Sequence, residues 1–242
     1  MQAKHKPYLL VTGASRRLGA SLVAHWLESG YEVIATYRQE NPVVKGLRQQ
    51  GAHMLPIDIA TEAGVTELVK AVQTLTGSLR AIVHNASVWH SDAEFAQSPE
   101  LLATTYALHV FAPYRLNQAL LPLLQAQSGP TDIVFISDAS SDQGKPDKSL
   151  YTASKSAMES VMRSQAVAFA PKVKVNAVAP GLLAFHVTDD LAYQQRRLAQ
   201  TLLGVEPGFK PVIDAIDFLL SNPYTTGTRL VVDGGAQLKR CQ

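Results

Sequence analysis

Short apolar segments rich in β-branched residues alternate along the chain with longer segments whose apolar residues recur every three or four positions. The short segments predict strands at residues 8–11, 32–37, 53–57, 79–84, 132–137, 173–178 and 229–232. The longer segments predict helices at residues 20–29, 61–75, 99–125, 150–169 and 212–221. This alternation is typical of a parallel sheet covered on both faces. The pattern therefore predicts an α/β Rossmann fold, a doubly wound parallel sheet of about seven strands, with residues 1–242 in one domain.

Some helix ends can also be predicted. Ser98 is expected to cap the longest helix, and Pro113 and Pro122 to bend or end it. Asp58 follows the third strand, where it either caps the next helix or lies near a bound adenine. Residues 182–208 show weak periodicity and are expected to form a loop with a helix. We find no internal repeat, low-complexity tract or linker.

Composition narrows the class of protein. The 242 residues are 46% hydrophobic, enough for one domain with a full core. The 22 basic and 20 acidic residues leave a net charge of +2, without the basic run that nucleic-acid binding requires. Cys241 is the only cysteine, so no intrachain disulfide forms, which fits the reducing cytoplasm. The N-terminal segment resembles neither a signal peptide nor a membrane span, and we predict no membrane partner and no metal site.

A glycine turn follows the first strand and opens the first helix. It reads Thr12-Gly13-Ala14-Ser15-Arg16-Arg17-Leu18-Gly19. Such a turn lets backbone N–H groups and a helix N-terminus face a phosphate, so it predicts a dinucleotide site. Gly13 is expected in the tight turn, and Gly19 where the helix packs closely on the strand. Arg17 stands where the usual fingerprint has its middle glycine.

The end of the second strand indicates which dinucleotide binds. An acidic residue there favours NAD, because it binds the adenosine ribose. This chain has Tyr37-Arg38-Gln39 instead, with no acid before Glu40. The planar guanidinium of Arg38 is suited to a 2′-phosphate, with help from Arg16. The alternative is that both arginines are simply solvated at loop ends. The residues favour NADPH.

Polar residues that follow the strands are expected to meet at one edge of the sheet. Asn85 follows the fourth strand, Asp138 the fifth and Pro180-Gly181 the sixth. Ligands of such sheets bind beyond the carboxyl ends of the strands, where the glycine turn also lies. The convergence predicts one ligand site at this edge.

Tyr151 and Lys155 lie four positions apart on a predicted helix, and therefore on one face of it. Asp138 precedes the tyrosine by thirteen positions. A lysine ammonium favours the tyrosinate, so it is expected to lower the phenol pKa from about 10 and to improve proton donation. A tyrosine beside a lysine is often accidental; the predicted cofactor site favours a catalytic pair here.

Five motifs occur in order along the chain. They are TGASRRLG at 12–19, HNAS at 84–87, YTASK at 151–155, VNAVAPG at 175–181 and DGG at 233–235. With them the chain resembles the short-chain dehydrogenase/reductase superfamily along nearly its whole length. The resemblance implies an NAD(P)H-dependent reductase and a homotetramer. Tyr151 would donate the proton, and Lys155 would lower its pKa and bind the nicotinamide ribose. The implied cofactor-binding residues are Gly13, Ser15, Arg16, Arg17, Leu18, Gly19, Tyr37, Arg38, Asp58, Ile59, Asn85, Ala86, Ser87, Tyr151, Lys155, Pro180 and Gly181.

Three departures from the superfamily pattern narrow the resemblance. Asp138 replaces the usual serine, Arg17 the usual glycine, and His109 the usual asparagine. The first two resemble the pteridine reductase branch, and HNAS-x-W, HVFAPY and the DDxxYxQ stretch are similar to one bacterial member of that branch. This branch implies reduction of a C=N bond of a dihydropterin, with dihydrofolate as a further substrate. The implied catalytic residues are Tyr151, Lys155 and Asp138, and the implied substrate-binding residues are Arg17, Ser87, Trp89, Asp138, Tyr151 and Phe185.

The chemistry of Asp138 fits this narrower resemblance. An ionised carboxylate only accepts hydrogen bonds, so it would repel a developing alkoxide. A pterin instead offers N–H donors and a ring nitrogen that must gain a proton. Asp138 is suited either to hold the amino-pyrimidine edge or to orient the Tyr151 hydroxyl; the alternative is that it merely caps a turn.

Four other side chains have a functional and a structural interpretation. Trp89 forms one wall of a flat aromatic slot, or is a packed loop residue. Arg17 contacts phosphate and pterin together, or lies on the surface of the first helical turn. Phe185 belongs to a loop that closes over the substrate, or to the core. His109 relays a proton, or is a satisfied buried histidine.

Two rival functions share this fold. One is a carbonyl reductase for a ketoacyl thioester or another ketone, against which Asp138 argues. The other is a catalytically silent dinucleotide-binding sensor, against which the intact pair of Tyr151 and Lys155 argues.

Overall fold

The computed structural model describes residues 6–239, and Cys241 therefore lies outside the described residues. The strands are β1 (Tyr8–Val11), β2 (Glu32–Thr36), β3 (His53–Leu55), β4 (Ala81–His84), β5 (Thr131–Ile136), β6 (Val173–Pro180) and β7 (Arg229–Val232). Within this part of the chain they form one sheet in the order β3-β2-β1-β4-β5-β6-β7, and all pairs are parallel. The predicted doubly wound fold is confirmed.

Helices cover both faces of the sheet. They are α1 (Arg17–Glu28), α2 (Pro42–Gln49), α3 (Glu62–Leu75), α4 (Asp92–Gln97), α5 (Glu100–Tyr106), α6 (Ala112–Gln125), α7 (Ser149–Phe169), α8 (Leu191–Leu198), α9 (Lys210–Ser221) and α10 (Ala236–Lys239). Apolar side chains of α1, α2 and α9 pack on one face, and those of α3, α6 and α7 on the other. β4, β5 and β6 are buried along their whole length, and most of their residues are apolar.

The long helix predicted at 99–125 is present at residues 100–125, with an irregular turn next to Pro113. The chain forms α5, then a π-helical turn at Ala107–Phe111, then α6. Pro113 explains the turn: it has no N–H for the carbonyl of His109, four residues earlier, and Ala112 N–H instead bonds to Ala107. Pro122 lies inside α6 without ending it.

The predicted Ser98 cap is wrong, and so is the cap alternative for Asp58. Thr61, not Asp58, caps α3, since its hydroxyl accepts the Gly64 N–H at 3.0 Å. Asp58 instead accepts the Ala60 N–H at 3.0 Å, within its own loop. Ser98 ends α4 and makes no cap for α5. The Asp58 carboxylate is thus engaged by a turn closer to it than the helix start.

Several predicted strands are shorter or longer than expected by a few residues. β3 ends at Leu55 rather than 57, and β6 continues to Pro180. The second of these differences matters, because it carries the sheet up to Gly181 at the ligand edge. No helix in the described part of the chain has the length and apolar character that a membrane crossing requires.

Candidate active site

The sheet order places a crevice between β1 and β4, where the chain changes direction across the sheet. The glycine turn after β1 and the segment 85–87 after β4 meet there. Asn85 Nδ2 donates to the carbonyls of Thr12 at 3.1 Å and Gly13 at 2.7 Å. The Thr12 hydroxyl in turn accepts the backbone N–H groups of Asn85 and Ala86, each at 3.1 Å. Asn85 therefore shapes the turn with its side chain.

The two glycines have the roles that the sequence predicted. Gly13 has φ +71°, and an added Cβ would lie 2.6 Å from the Cα of Ala86. A Cβ on Gly19 would lie 2.4 Å from the Gly13 carbonyl oxygen. Both positions therefore require glycine, and α1 starts close against the turn.

The start of α1 is suited to phosphate. Arg16 is its N-cap, yet no side chain caps the helix and its first turn holds no acidic residue. The first N–H groups of the helix are thus free of the usual side-chain acceptors, and the exposed Arg16 adds positive charge. This donor set fits a dinucleotide bound across the crevice.

Arg17 has a contact that the sequence did not predict. Its backbone has φ +50°, a left-handed conformation that is uncommon for a residue with a side chain. Its Nη2 donates to the carbonyl of Ala184 at 2.7 Å, and its guanidinium lies 5.6 Å from the centre of the Phe209 ring. Arg17 therefore links the glycine turn to the loop after β6, rather than lying free on the surface.

The end of β2 presents positive charge. Arg38 is exposed, whereas Tyr37 is buried and accepts a hydrogen bond from Arg48 at 2.9 Å. Arg48 also binds Glu40 at 2.9 Å. Hydrogen bonds from Arg48 and Tyr37 lower the pKa of Glu40 to about 2. Glu40, the acidic residue nearest to Arg38 in the sequence, is thus already paired with Arg48. The exposed Arg38 guanidinium is therefore available to bind a ligand.

Asp138, Tyr151 and Lys155 come together at the ends of β5 and α7. The Tyr151 hydroxyl donates to Asp138 Oδ2 at 3.1 Å. Asp138 Oδ1 accepts from the Ser140 N–H at 2.8 Å and from its hydroxyl at 2.6 Å. Lys155 Nζ donates to the Ile136 carbonyl at 3.0 Å. Asp138 thus closes a turn with one oxygen and binds the tyrosine with the other.

The predicted lowering of the Tyr151 pKa is wrong for this structure. Burial first, and then the neighbouring Asp138 carboxylate, raise the pKa of Tyr151 well above 10. The Lys155 ammonium lies 5.9 Å from the centre of the tyrosine ring and is bound to a carbonyl instead. Burial lowers the pKa of Lys155 itself to about 8. Tyr151 therefore keeps its proton throughout the neutral range.

His109 is buried beside Tyr151, and both of its ring nitrogens have partners. Nε2 lies 2.8 Å from the Ser87 hydroxyl, and Nδ1 lies 2.8 Å from the Ser154 hydroxyl. Ser154 donates its proton to the Tyr151 backbone carbonyl at 2.7 Å, so Nδ1 of the histidine is the donor and Nε2 the acceptor. Burial and the Lys155 charge hold the pKa of His109 well below its usual value. Ser87 also contacts the Tyr151 hydroxyl, so the chain of hydrogen bonds leads from that hydroxyl through His109 to the Tyr151 backbone carbonyl. A carbonyl has no proton to pass on, which favours the satisfied buried histidine over a proton relay.

A cleft opens from Asp138 and Tyr151 towards the surface. Trp89, Pro180, Gly181 and Leu182 line it, together with side chains from α8 and α10. Trp89 is 51% exposed, and the Lys148 ammonium lies 4.7 Å from the centre of its ring. The Lys148 ammonium thus covers one face of the exposed Trp89 ring at the cleft, and the aromatic slot stays a prediction.

Phe185 is not among the side chains that line this cleft. Its ring packs edge-on against Tyr193 of α8, with 6.4 Å between ring centres. Its backbone N–H donates to Glu206 at 2.8 Å, which ties one side of the loop to the other. In this structure Phe185 holds the loop together, and its contact with the substrate stays a prediction.

Comparisons with known proteins agree with this geometry. A family model described as enoyl-(acyl carrier protein) reductase matches residues 13–237. The chain is 42% identical to dihydromonapterin reductase of Enterobacter sp. (strain 638) over 95% of this chain and 96% of the relative. It is 40% identical to dihydromonapterin reductase of Citrobacter koseri over 98% and 99%. The chain belongs to the short-chain dehydrogenase/reductase family.

Solved structures of this family share the fold. 4-Hydroxyisoleucine dehydrogenase complexed with NADH superposes with a TM-score of 0.88 at 19% identity, over 96% of this chain and 99% of that one. An apo enzyme from Clostridium thermocellum gives a TM-score of 0.86 at 21% identity, over 97% and 93%. As a member of the family, the protein is an oxidoreductase.

Sequence reasoning missed two residues near the candidate site. Glu159 and Arg229 form an ion pair under the loop of Asp138, with 2.9 Å between Oε1 and Nε. Glu159 continues the four-residue spacing of Tyr151 and Lys155 on α7, and that spacing was the available signal. The sequence around Arg229 contains no signal that indicates its position near the site. Among residues 6–239 we find no group of three or more histidine, cysteine, aspartate or glutamate side chains that could hold a metal ion.

Proposed function

We propose that this protein reduces 7,8-dihydromonapterin to tetrahydromonapterin with NADPH. The observation that carries the proposal is the hydrogen bond from the Tyr151 hydroxyl to Asp138, at the position where the family usually has a serine. The names of the relatives, at about 40% identity over nearly the whole chain, support the same substrate. A carboxylate suits a pterin, which offers N–H donors, better than it suits a ketone.

The residues of the chain supply position and a proton. A nicotinamide held in the crevice would supply the hydride for the carbon of the C=N bond. Tyr151 gives its proton to the nitrogen of that bond, and its raised pKa ensures that the proton is present. Lys155 stabilises the tyrosinate that forms. Asp138 orients the phenol beforehand, and Trp89 holds the flat ring of the substrate.

Replacement of Asp138 by serine tests this assignment. We expect Asp138→Ser to lower kcat/KM for 7,8-dihydromonapterin by roughly 100-fold, because the phenol loses its orientation. Reduction of acetoacetyl-coenzyme A should rise, because a serine hydroxyl donates to a ketone oxygen. Asp147→Ser, an exposed acid before the same helix, is the matched control and should change neither rate. If Asp138→Ser kept full pterin activity, the carboxylate would have no part in the reaction.

We also propose NADPH rather than NADH as the cofactor. The exposed Arg38 and Arg16 support this choice, as does the engagement of Glu40 by Arg48. Arg38→Ala should raise the KM for NADPH by roughly 10- to 100-fold, the value of a charge-assisted hydrogen bond, and leave the KM for NADH nearly unchanged. Arg163→Ala, an exposed arginine on α7, is the control. Equal effects of Arg38→Ala on both cofactors would contradict a 2′-phosphate contact.

Dihydrofolate is a second proposed substrate, favoured by the charges at the mouth of the cleft. Lys145, Lys148 and Arg197 line the cleft, and among the described residues none of them forms an ion pair with an acidic side chain. The uncharged side chain of monapterin needs no such cations, whereas the glutamate tail of dihydrofolate carries carboxylates that they can bind. Steady-state kinetics with both substrates compares them directly.

We further propose a homotetramer in the cytoplasm. Large apolar side chains on helix faces are exposed, among them Phe111 next to α6, Val167 on α7 and Phe218 on α9. Such surfaces favour burial between copies of the chain. A single cysteine fits a reducing compartment.

A further inference from the structure

Glu159 and Arg229 form an ion pair away from water, beneath the loop that carries Asp138. Their side chains are 7% and 16% exposed, and Arg229 Nε donates to Glu159 Oε1 at 2.9 Å. Removing such a pair from water is costly unless its other polar atoms also find partners. The identity of those partners indicates what the pair does.

Glu159 binds the loop from the side of α7. Its Oε1 accepts hydrogen bonds from the hydroxyls of Ser137 and Ser141, the latter at 2.6 Å. These serines precede and follow Asp138. One carboxylate oxygen on a rigid helix thus holds both ends of a short segment.

Arg229 binds the same loop from the side of β7. Its Nη2 donates to the backbone carbonyls of Asp138 and Ala139, each at 3.0 Å. Its Nη1 lies 3.2 Å from the Asp142 carboxylate. Gln237, from α10, donates to the Ala139 carbonyl as well, at 2.7 Å. The planar fork of the guanidinium therefore fixes the direction of the peptide groups next to Asp138.

We propose that Arg229, with Glu159, is a positioning residue for the reaction. It fixes the backbone at Asp138 so that one carboxylate oxygen binds Ser140 and the other faces the Tyr151 hydroxyl. The proposal rests on the proposed function, because it assigns Arg229 a role through Asp138. It adds a residue from the last strand, 70 positions from Glu159, that touches neither the reacting bond nor Tyr151.

The chain offers a matched control at the amino ends of the strands, opposite to the candidate site. Arg80, just before β4, binds Asp132 at 2.5 Å and the backbone carbonyl of Leu220 at 2.5 Å. Like Arg229 it is mostly buried, at 17% exposure, and pairs with a buried carboxylate. It lies at the amino ends of the strands, whereas the crevice lies at their carboxyl ends. Loss of either arginine should lower stability, but only loss of Arg229 should disturb the site.

The experiment compares Arg229→Gln and Arg80→Gln with the wild type. We expect both variants to lower Tm, and only Arg229→Gln to lower kcat for 7,8-dihydromonapterin, by roughly 100-fold, with the KM for NADPH unchanged. Guanidinium ion at non-denaturing concentration should restore part of kcat in Arg229→Ala. Hydrogen exchange gives a readout independent of turnover: the Ser140 amide, which donates to Asp138, should exchange faster in Arg229→Gln and not in Arg80→Gln.

Wild-type kcat and unchanged exchange in folded Arg229→Gln would overturn the proposal, as would an equal loss of kcat in both variants. If Arg229→Gln does not fold, Glu159→Gln takes its place, because it keeps the side-chain shape and should produce the same pattern in weaker form. A wild type that does not reduce dihydropterins would overturn the proposed function. The exchange comparison still decides whether Arg229 positions Asp138.

Discussion

Replacement of Tyr151 by phenylalanine should lower kcat for dihydropterin reduction by roughly 1,000-fold, the range lost when a positioned general acid is removed. The substitution removes the hydroxyl that faces Asp138 and leaves the buried ring in place. Because the ring still fills its site, the fold and the crevice should persist. NADPH affinity, measured by quenching of protein fluorescence, should therefore change little.

The control for this variant is Tyr224→Phe. Tyr224 is almost fully exposed, and its hydroxyl has no part in the site. It should retain full turnover. If Tyr151→Phe lost NADPH binding together with activity, Tyr151 would have a structural role and another group would have to supply the proton.

Replacement of Lys155 by methionine should abolish most turnover and yet stabilise the cofactor-free protein. Turnover should fall by roughly 100- to 1,000-fold, because the charge that stabilises the tyrosinate is lost. Burial lowers the pKa of Lys155 from 10.5 to about 8, which corresponds to a cost of about 3 kcal/mol for carrying its charge at neutral pH. The substitution also removes the hydrogen bond to the Ile136 carbonyl, which costs about 1 kcal/mol of stability. The net gain in stability is therefore about 2 kcal/mol.

The stabilisation expected from Lys155→Met should decrease as the pH rises. Between about pH 8 and 10.5 the unfolded chain holds the lysine proton and the folded chain does not. The contribution of Lys155 to the free energy of unfolding of the wild type therefore increases as the pH rises through that window. The advantage of Lys155→Met should be largest below about pH 8 and shrink towards pH 10.5. Urea unfolding at several pH values measures it, with the exposed Lys210→Met as control. A lower stability of Lys155→Met at pH 7 would contradict this account.

The sheet was predictable because its strands are buried on both faces. A strand such as β5, in which four consecutive apolar residues follow Thr131 and Asp132, has few alternatives, and its regular separation from the next helix indicates the parallel order. Helices without a long apolar face were missed. α2 begins at a capped Asn41-Pro42 and α4 at a capping box on Ser91, so their start signals are present in the sequence. Both helices are too short to show a clear repeat of apolar residues every three or four positions.

The candidate site was predictable where its residues lie on one element or directly after a predicted strand. The spacing of Tyr151 and Lys155 on one helix, and the position of Asp138 after a buried strand, brought the three residues together as expected. The pKa of Tyr151 was not predictable, because its direction depends on burial by distant parts of the chain. Arg229 was missed for the same reason: its partners are distant in sequence and meet it only in the folded sheet.

The most direct test of dihydropterin reduction is the oxidation of NADPH by the wild-type protein, followed at its near-ultraviolet absorbance. Parallel reactions would contain 7,8-dihydromonapterin, dihydrofolate or acetoacetyl-coenzyme A. The site of Asp138, Tyr151 and Trp89 predicts turnover with the two pterins and not with the thioester. Turnover with the thioester alone, or binding of NADPH without turnover of any of the three, would contradict it.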